Sequence, residues 1–194
     1  MRLMCDVYMV GSGAIGLSDP ADGHIYLLDG GGQMALIDAG TGLDPERIMR
    51  NIREDGLDEG KITHLLLTHA HADHAGGAKA LAERTGARIV CSAIEGRLLS
   101  DGTDEELGLI RARQAGIYPP DYVYAHVAPD VVVGSGQELR VGRYTVRAIE
   151  APGHSEGSIC YLVSGPGPRM LFSGDVVFHG GTIGLGNWAG SSLE

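Results

Sequence analysis

The chain has 194 residues, 43% of them apolar, with 25 acidic against 15 basic side chains and a formal net charge of −10. That length suits one domain over residues 1–194, and the acidity argues against a phosphate-binding surface of the kind nucleic acid needs. No run approaches the roughly 18 apolar residues of a spanning helix, residues 1–6 lack a secretory core, and Cys5, Cys91 and Cys160 are too dispersed for a disulfide framework, so a cytoplasmic protein with neither membrane nor nucleic-acid partners is the expectation.

Residues 5–10 read as a first strand. Residues 24–28 and 34–37 read as a hairpin, turned by Asp29-Gly30-Gly31-Gly32. A tight turn at 38–42 leads to a helix over 45–55, with Ile48 and Ile52 four apart on one face and Gly56 as its stop. Residues 62–67 are continuously strand-like and predict a central strand covered on both faces. A helix over 73–85 and a strand over 88–91 follow. In the middle segment, 104–115 predicts a helix, broken by Gly116-Ile117-Tyr118-Pro119-Pro120. Strands are expected at 131–133, 137–141, 144–149, 158–163 and 170–172, and the Gly- and Ser-rich tail from 180 to 194 reads as irregular. Strand and helix alternate early while strands dominate later, which favours a mixed α/β sandwich over a doubly wound sheet.

Gly11-Ser12-Gly13-Ala14-Ile15-Gly16 follows a strand and fits the spacing of a dinucleotide-binding turn. That turn requires a helix directly behind it. Residues 17–23, with Pro20 and Gly23 among them, cannot supply one.

The densest chemistry lies in Thr68-His69-Ala70-His71-Ala72-Asp73-His74, immediately after the central strand. Imidazole suits zinc, iron, copper and nickel, and carboxylate is a common companion. His69 and His71 are two apart at a strand end and can face one side. Asp73 and His74 open the following helix, where a carboxylate is favoured. One short segment therefore offers ligands to two adjacent metals. Two more ligand-like residues follow strands further on: His154 in Ala151-Pro152-Gly153-His154-Ser155, and Asp175 in Phe172-Ser173-Gly174-Asp175.

H-x-H-x-D-H, then P-G-H-S, then S-G-D, together with Leu36-Ile37-Asp38-Ala39-Gly40, resembles the metallo-β-lactamase fold superfamily. The stretch 151–158 is similar to its glyoxalase-II-like members. The resemblance implies an α+β fold, a four-layer αββα sandwich with metals at one edge. It implies a binuclear zinc site in which His69, His71 and His154 hold one metal, Asp73 and His74 hold the second, and Asp175 bridges both. Iron or manganese are the alternative metals. Asp38 would support the metal loop without touching the metal. Members of the family usually carry a further histidine on a late strand, often as G-H-G. This chain ends 19 residues after Asp175, and His179, the only later histidine, reads as structural or pocket-lining. Two expectations stay open: a truncated chain, with the last strand and helix of the second half absent, or a second metal held by fewer protein groups.

The activity implied is hydrolysis of a small-molecule ester, thioester or lactone by a metal-bound hydroxide, with Asp73 orienting it and moving a proton to the leaving group. Cys160 reads as core packing rather than a nucleophile. Tyr118, Tyr122 and Tyr124 lie in a segment that could cover the site, and Phe178 and Trp188 could line its pocket, although plain packing is the favoured reading for each. His71 in place of a glutamate disfavours the di-iron flavoproteins, and the acidity disfavours the nucleases. A mononuclear iron dioxygenase acting on persulfides is the rival reading, and a folded but non-catalytic fragment a third.

Overall fold

The computed structural model describes residues 1–185 and 191–192. Two sheets face each other. The first has seven strands in chain order: β1 (Arg2–Met4), β2 (Val7–Gly11), β3 (Ile25–Asp29), β4 (Met34–Ile37), β5 (Ile62–Leu66), β6 (Arg88–Cys91) and β7 (Val131–Val132). Pairing is antiparallel through β4 and parallel from β4 to β7. The second sheet is antiparallel, ordered β11 (Met170–Phe172), β10 (Ile159–Ser164), β9 (Tyr144–Glu150), β8 (Glu138–Val141).

The apolar pattern explains the layers. In β3, Leu27 and Leu28 are both fully buried although they face opposite ways. Leu27 joins a cluster under the helices, while Leu28 joins a cluster between the sheets. Leu65 and Leu66 of β5 divide in the same way. Helix α1 (Pro45–Glu54) buries Ile48, Met49 and Ile52 in the first cluster, and its N-terminus is capped by the Asp44 carboxylate, which accepts from the Arg47 N–H at 3.1 Å. Val146, Tyr161 and Val163 of the second sheet pack with Ile37, Leu66 and Val90 of the first. Among the described residues the layers are therefore helix, sheet, sheet. The second sheet's far face carries partly or fully exposed Thr145, Arg147, Ile149, Leu162 and Leu171, and no described helix packs on it.

The predicted helix over 73–85 is two helices, α2 (Ala72–Ala75) and α3 (Ala78–Thr85). Gly76 and Gly77 separate them because backbone approaches there: a Cβ at Gly77 would meet the Ala39 carbonyl oxygen, and one at Gly76 the Tyr122 hydroxyl. The predicted helix over 104–115 shrinks to α5 (Leu109–Gln114), since Gly108 takes a left-handed φ of 70° just before it. Helix α4 (Ala93–Asp101), capped by Ser92, and edge strand β1 are additions to the predicted elements. Residues 12–24 hold no helix, which removes the dinucleotide-binding reading. No helix of the described residues is long and apolar enough to cross a membrane.

Gly77→Ala should therefore destabilise the fold by about 1–3 kcal/mol, because the added methyl collides with backbone rather than a flexible side chain. Urea denaturation measures this, and an unchanged midpoint would show that the α2–α3 junction is not tightly packed against the Ala39 turn.

Candidate metal centre

Three loops and the short helix α2 at one edge of the sandwich bring the histidines and carboxylates together. His69 and His71 follow β5, His74 lies in α2, His154 follows β9, and Asp175 follows β11. The two sheets are tied beneath them. The Ile159 N–H donates to the Thr68 carbonyl at 2.9 Å, and the Tyr161 hydroxyl donates to the Leu67 carbonyl at 2.9 Å.

Two groups of three converge. In the first, His71 Nδ1 lies 2.9 Å from His154 Nε2, which lies 3.1 Å from His69 Nε2. The second combines His69, His74 and Asp175. His74 Nε2 is 3.2 Å from Asp175 Oδ1, and His154 Nε2 is 3.8 Å from Asp175 Oδ2. The Asp175 carboxylate thus turns one oxygen toward each group. Asp73 stands beside the second group, with Oδ2 3.5 Å from His74 Nε2, but is in neither converging set.

The outward nitrogens of His69, His74 and His154 are tied, which decides what their inward ones present. His154 Nδ1 donates to the Gly184 carbonyl at 2.8 Å. His74 Nδ1 donates to Asp38 Oδ2 at 2.8 Å. His69 Nδ1 lies 3.1 Å from the Thr68 hydroxyl, which itself donates to Asp38 at 2.9 Å. One buried carboxylate therefore orients two imidazoles. Asp38 reaches both by adopting a φ of 64°, left-handed backbone that Asp tolerates better than most residues. His69, His74 and His154 all direct Nε2 inward, and His71 directs Nδ1.

Charge separates the two groups. Burial, reinforced by the neighbouring imidazoles, holds His69 well below the usual histidine range. Burial and His154 bring His71 down to about 4, against Asp73 and Asp175. Burial lowers His154 as well, against the pull of Asp175. These three are neutral donors. His74 differs. Burial opposes its charge, but Asp73, Asp38 and Asp175 outweigh burial and raise it well above the usual range.

The donor set fits a metal. Around a tetrahedral zinc with Zn–N of 2.0–2.1 Å, ligand nitrogens sit about 3.3 Å apart, close to the 2.9 and 3.1 Å that separate His154 Nε2 from its two partners. Imidazole with carboxylate also suits iron.

Residues outside the motifs complete the site. The Tyr118 hydroxyl donates to Asp73 Oδ1 at 3.1 Å, and the Tyr124 hydroxyl to the Ala70 carbonyl at 2.9 Å. Tyr122 bonds the Thr41 carbonyl. All three tyrosines are buried and grip the loops from behind, so none is a mobile cover. Glu95, which the motifs did not single out, accepts from Ala70, Ser155 and Gly157. A cavity of about 450 Å³ borders the second group, lined by His74 and Asp175 and by apolar Tyr26, Met170, Phe172 and Phe178, with His179 at its wall. Cys160 is buried against the Ser173 carbonyl. Trp188 lies outside the described residues.

A family model of the metallo-beta-lactamase superfamily matches residues 18–192. The chain belongs to that superfamily. Within it, the chain is 30% identical over 175 residues to the probable metallo-hydrolase YqgX of Bacillus subtilis, covering 90% of this chain and 75% of that protein. It is 30% identical over 160 residues to a hydroxyacylglutathione hydrolase of Anaeromyxobacter dehalogenans, covering 82% of this chain and 48% of that one. A superfamily structure from Cronobacter sakazakii, a metallo-beta-lactamase with a HARLDQ motif, superposes with a TM-score of 0.73 at 25% identity, over 89% of this chain and 62% of that one. The chain thus spans from about half to three quarters of the length of these relatives.

The charge pattern predicts how the metal-free chain responds to acid. His69, His71 and His154 have folded pKa values below the unfolded value of about 6.5, so the unfolded chain takes up more protons as pH falls below that value. His74 works oppositely, but its contribution is fully present below the unfolded pKa and is lost only as pH rises through the raised folded value. The urea midpoint of chelator-treated protein should therefore drop between about pH 6.5 and pH 5. A flat or rising midpoint would contradict three neutral imidazoles.

Proposed function

We propose that the chain is a metal-dependent hydrolase that cleaves a thioester or a related ester or lactone. His69, His71 and His154 hold one metal, His74 and Asp73 hold a second, and Asp175 lies between them. The observation that carries this reading is the convergence of three neutral imidazole nitrogens beside a carboxylate that also meets His74. The hydroxyacylglutathione hydrolase among the relatives supports the thioester class.

Bound metals in such a site lower the pKa of a coordinated water and polarise a carbonyl oxygen. The chain's own residues do the rest. Asp73 is the proton carrier. Its Oδ1 is held by the Tyr118 hydroxyl while Oδ2 faces His74. The Asp73 side chain keeps 30% of its surface exposed, so a substrate can reach it, unlike the buried Asp38. It takes the proton of the attacking water and returns it to the leaving sulfur or oxygen. Asp38 and Thr68 keep the imidazoles in the tautomers that point their lone pairs inward. Tyr118, held well above the usual phenol range by burial and by Asp73, stays protonated and works as a donor.

A second reading rests on a specific feature. His69, His74 and Asp175 form a two-histidine, one-carboxylate group of the type used by non-haem iron oxygenases. Elemental analysis separates the two: zinc supports hydrolysis, whereas iron with oxygen uptake on a persulfide supports the dioxygenase.

Two variants test the hydrolase reading. His154→Ala should lose most of its bound zinc and slow thioester hydrolysis on the order of 10²–10³-fold. Asp73→Asn should keep zinc at the three-imidazole position yet lose roughly 10²–10⁴-fold in kcat. Unchanged zinc stoichiometry in the first, or an unchanged rate in the second, would overturn the corresponding role.

A further inference from the structure

We propose that Glu95 is the positioning residue that fixes His69, His71 and His154 in one geometry, by spanning the two loops that carry them. The inference rests on the reading of those three histidines as ligands of one metal. Glu95 itself touches none of them.

The geometry is specific. Glu95 is only 2% exposed. Its Oε2 accepts from the Ala70 N–H at 2.7 Å, the residue between His69 and His71. Its Oε1 accepts from the Ser155 hydroxyl at 2.8 Å, the residue after His154, and from the Gly157 N–H at 2.9 Å. One carboxylate therefore holds the first loop with one oxygen and the second with the other. Both loops are also held from their opposite ends. The Tyr124 hydroxyl donates to the Ala70 carbonyl, and the Ser92 hydroxyl donates to the Gly157 carbonyl at 2.8 Å. The second loop can lie this close only because residue 157 is glycine: a Cβ there would come within 2.8 Å of Glu95 Oε1 and Ser92 Oγ.

The local sequence makes this use of Glu95 informative. Ser92 and Glu95 have the spacing of a capping box, in which the glutamate folds back onto the cap residue's own N–H. Ser92 does cap α4, accepting from the Glu95 N–H at 3.2 Å. The Glu95 carboxylate accepts instead from the two metal loops. Burial pushes its carboxyl up, against the hydrogen bonds from Ser155, Ala70 and Gly157.

All three partners donate, so the position needs an acceptor at both ends. Glutamine cannot supply that. Whichever way its amide is placed, its NH₂ faces either the Ala70 N–H or the Gly157 N–H, and at least one of the three bonds is lost. Aspartate keeps the charge but is one methylene shorter and cannot reach both loops. Glu95→Gln and Glu95→Asp together thus separate spanning from charge.

The test uses the full chain loaded with zinc for affinity, by chelator competition, and with cobalt(II) for its visible d–d spectrum. Both Glu95 variants should bind the tightest zinc about 10–100-fold more weakly, with a shifted cobalt spectrum. Ser155→Ala, which removes one donor of three, should show a smaller loss in the same direction and covers the case of a Glu95 variant that fails to fold. Leu81→Ala, a core change in α3 remote from these bonds, should lower the melting temperature and leave zinc affinity and spectrum as in the parent. Parental affinity and spectrum in all the Glu95 and Ser155 variants, with only the melting temperature lowered, would reduce Glu95 to a structural group and overturn the proposal. Parental affinity in Glu95→Asp alone would assign the effect to charge and also overturn it. A parent chain that takes up neither metal would overturn the three-imidazole reading and this inference together.

Discussion

Three imidazoles, two buried and one half-buried, whose inward nitrogens converge with His69 and His71 each about 3 Å from His154 are the constraint on which the rest of the site depends. Burial, with repulsion between neighbouring rings at His69 and His71, holds all three below the usual histidine range. Neutral imidazoles still carry lone pairs, and buried polar atoms are costly unless partnered. Hydrogen bonds on the outward nitrogens of His69 and His154 turn those lone pairs to one point. A dication placed there satisfies all three at once, whereas hydrogen bonds among three neighbouring rings do so only in part.

That arrangement demands precise loops, and the fold supplies them from several sides. Asp38 anchors Thr68 and His74 from the first sheet. Glu95 and Tyr124 hold the peptide of Ala70 at its two ends. Glycines permit close approach where loops cross. A Cβ at Gly174 would crowd the Thr68 side chain, and this position also takes a φ of 50°. The helices contribute mainly through such anchors rather than through ligands, with α2 and its His74 as the exception. His74, cationic among Asp38, Asp73 and Asp175, places a positive charge where the proposed second metal would sit. The proton and that metal compete for one position, so the second position should be more sensitive to acid than the first.

Much of this was legible in the residues. The strands at 34–37, 88–91 and 170–172 follow from short apolar runs between turn residues, and they stand as read. Helix α1 was marked by Pro45, the Ile48–Ile52 spacing and Gly56. The ligand-type residues were visible because histidine and aspartate at strand ends have few purely structural uses, and the structure brings His69, His71, His74, His154 and Asp175 together. What was not legible depended on long-range contact. The Gly76–Gly77 break reflects the Ala39 carbonyl, far away in sequence. Helix α4 had its capping spacing in Ser92 and Glu95, but its apolar residues, Ile94, Leu98 and Leu99, form only a thin stripe. The destination of the Glu95 carboxylate is fixed by loops 25 and 60 residues away. Tyr118 and Tyr124 are packed, as the favoured reading has them, but the partners of their hydroxyls, Asp73 and Ala70, are not legible in sequence. Their role follows from the path of a segment with little regular structure, which periodicity does not predict.

The central claim is that His69, His71 and His154 hold one metal through Nε2, Nδ1 and Nε2, with Asp175 shared toward a second. Anomalous diffraction at the zinc edge from crystals of the zinc-loaded chain tests it most directly. The account predicts a strong peak at bonding distance, about 2.0–2.2 Å, from those three nitrogens and from Asp175 Oδ2, with a second peak beside His74 and Asp175 Oδ1. A fully loaded crystal whose strongest peak lies away from the three imidazoles, or whose His71 turns Nε2 rather than Nδ1 to the metal, would contradict it.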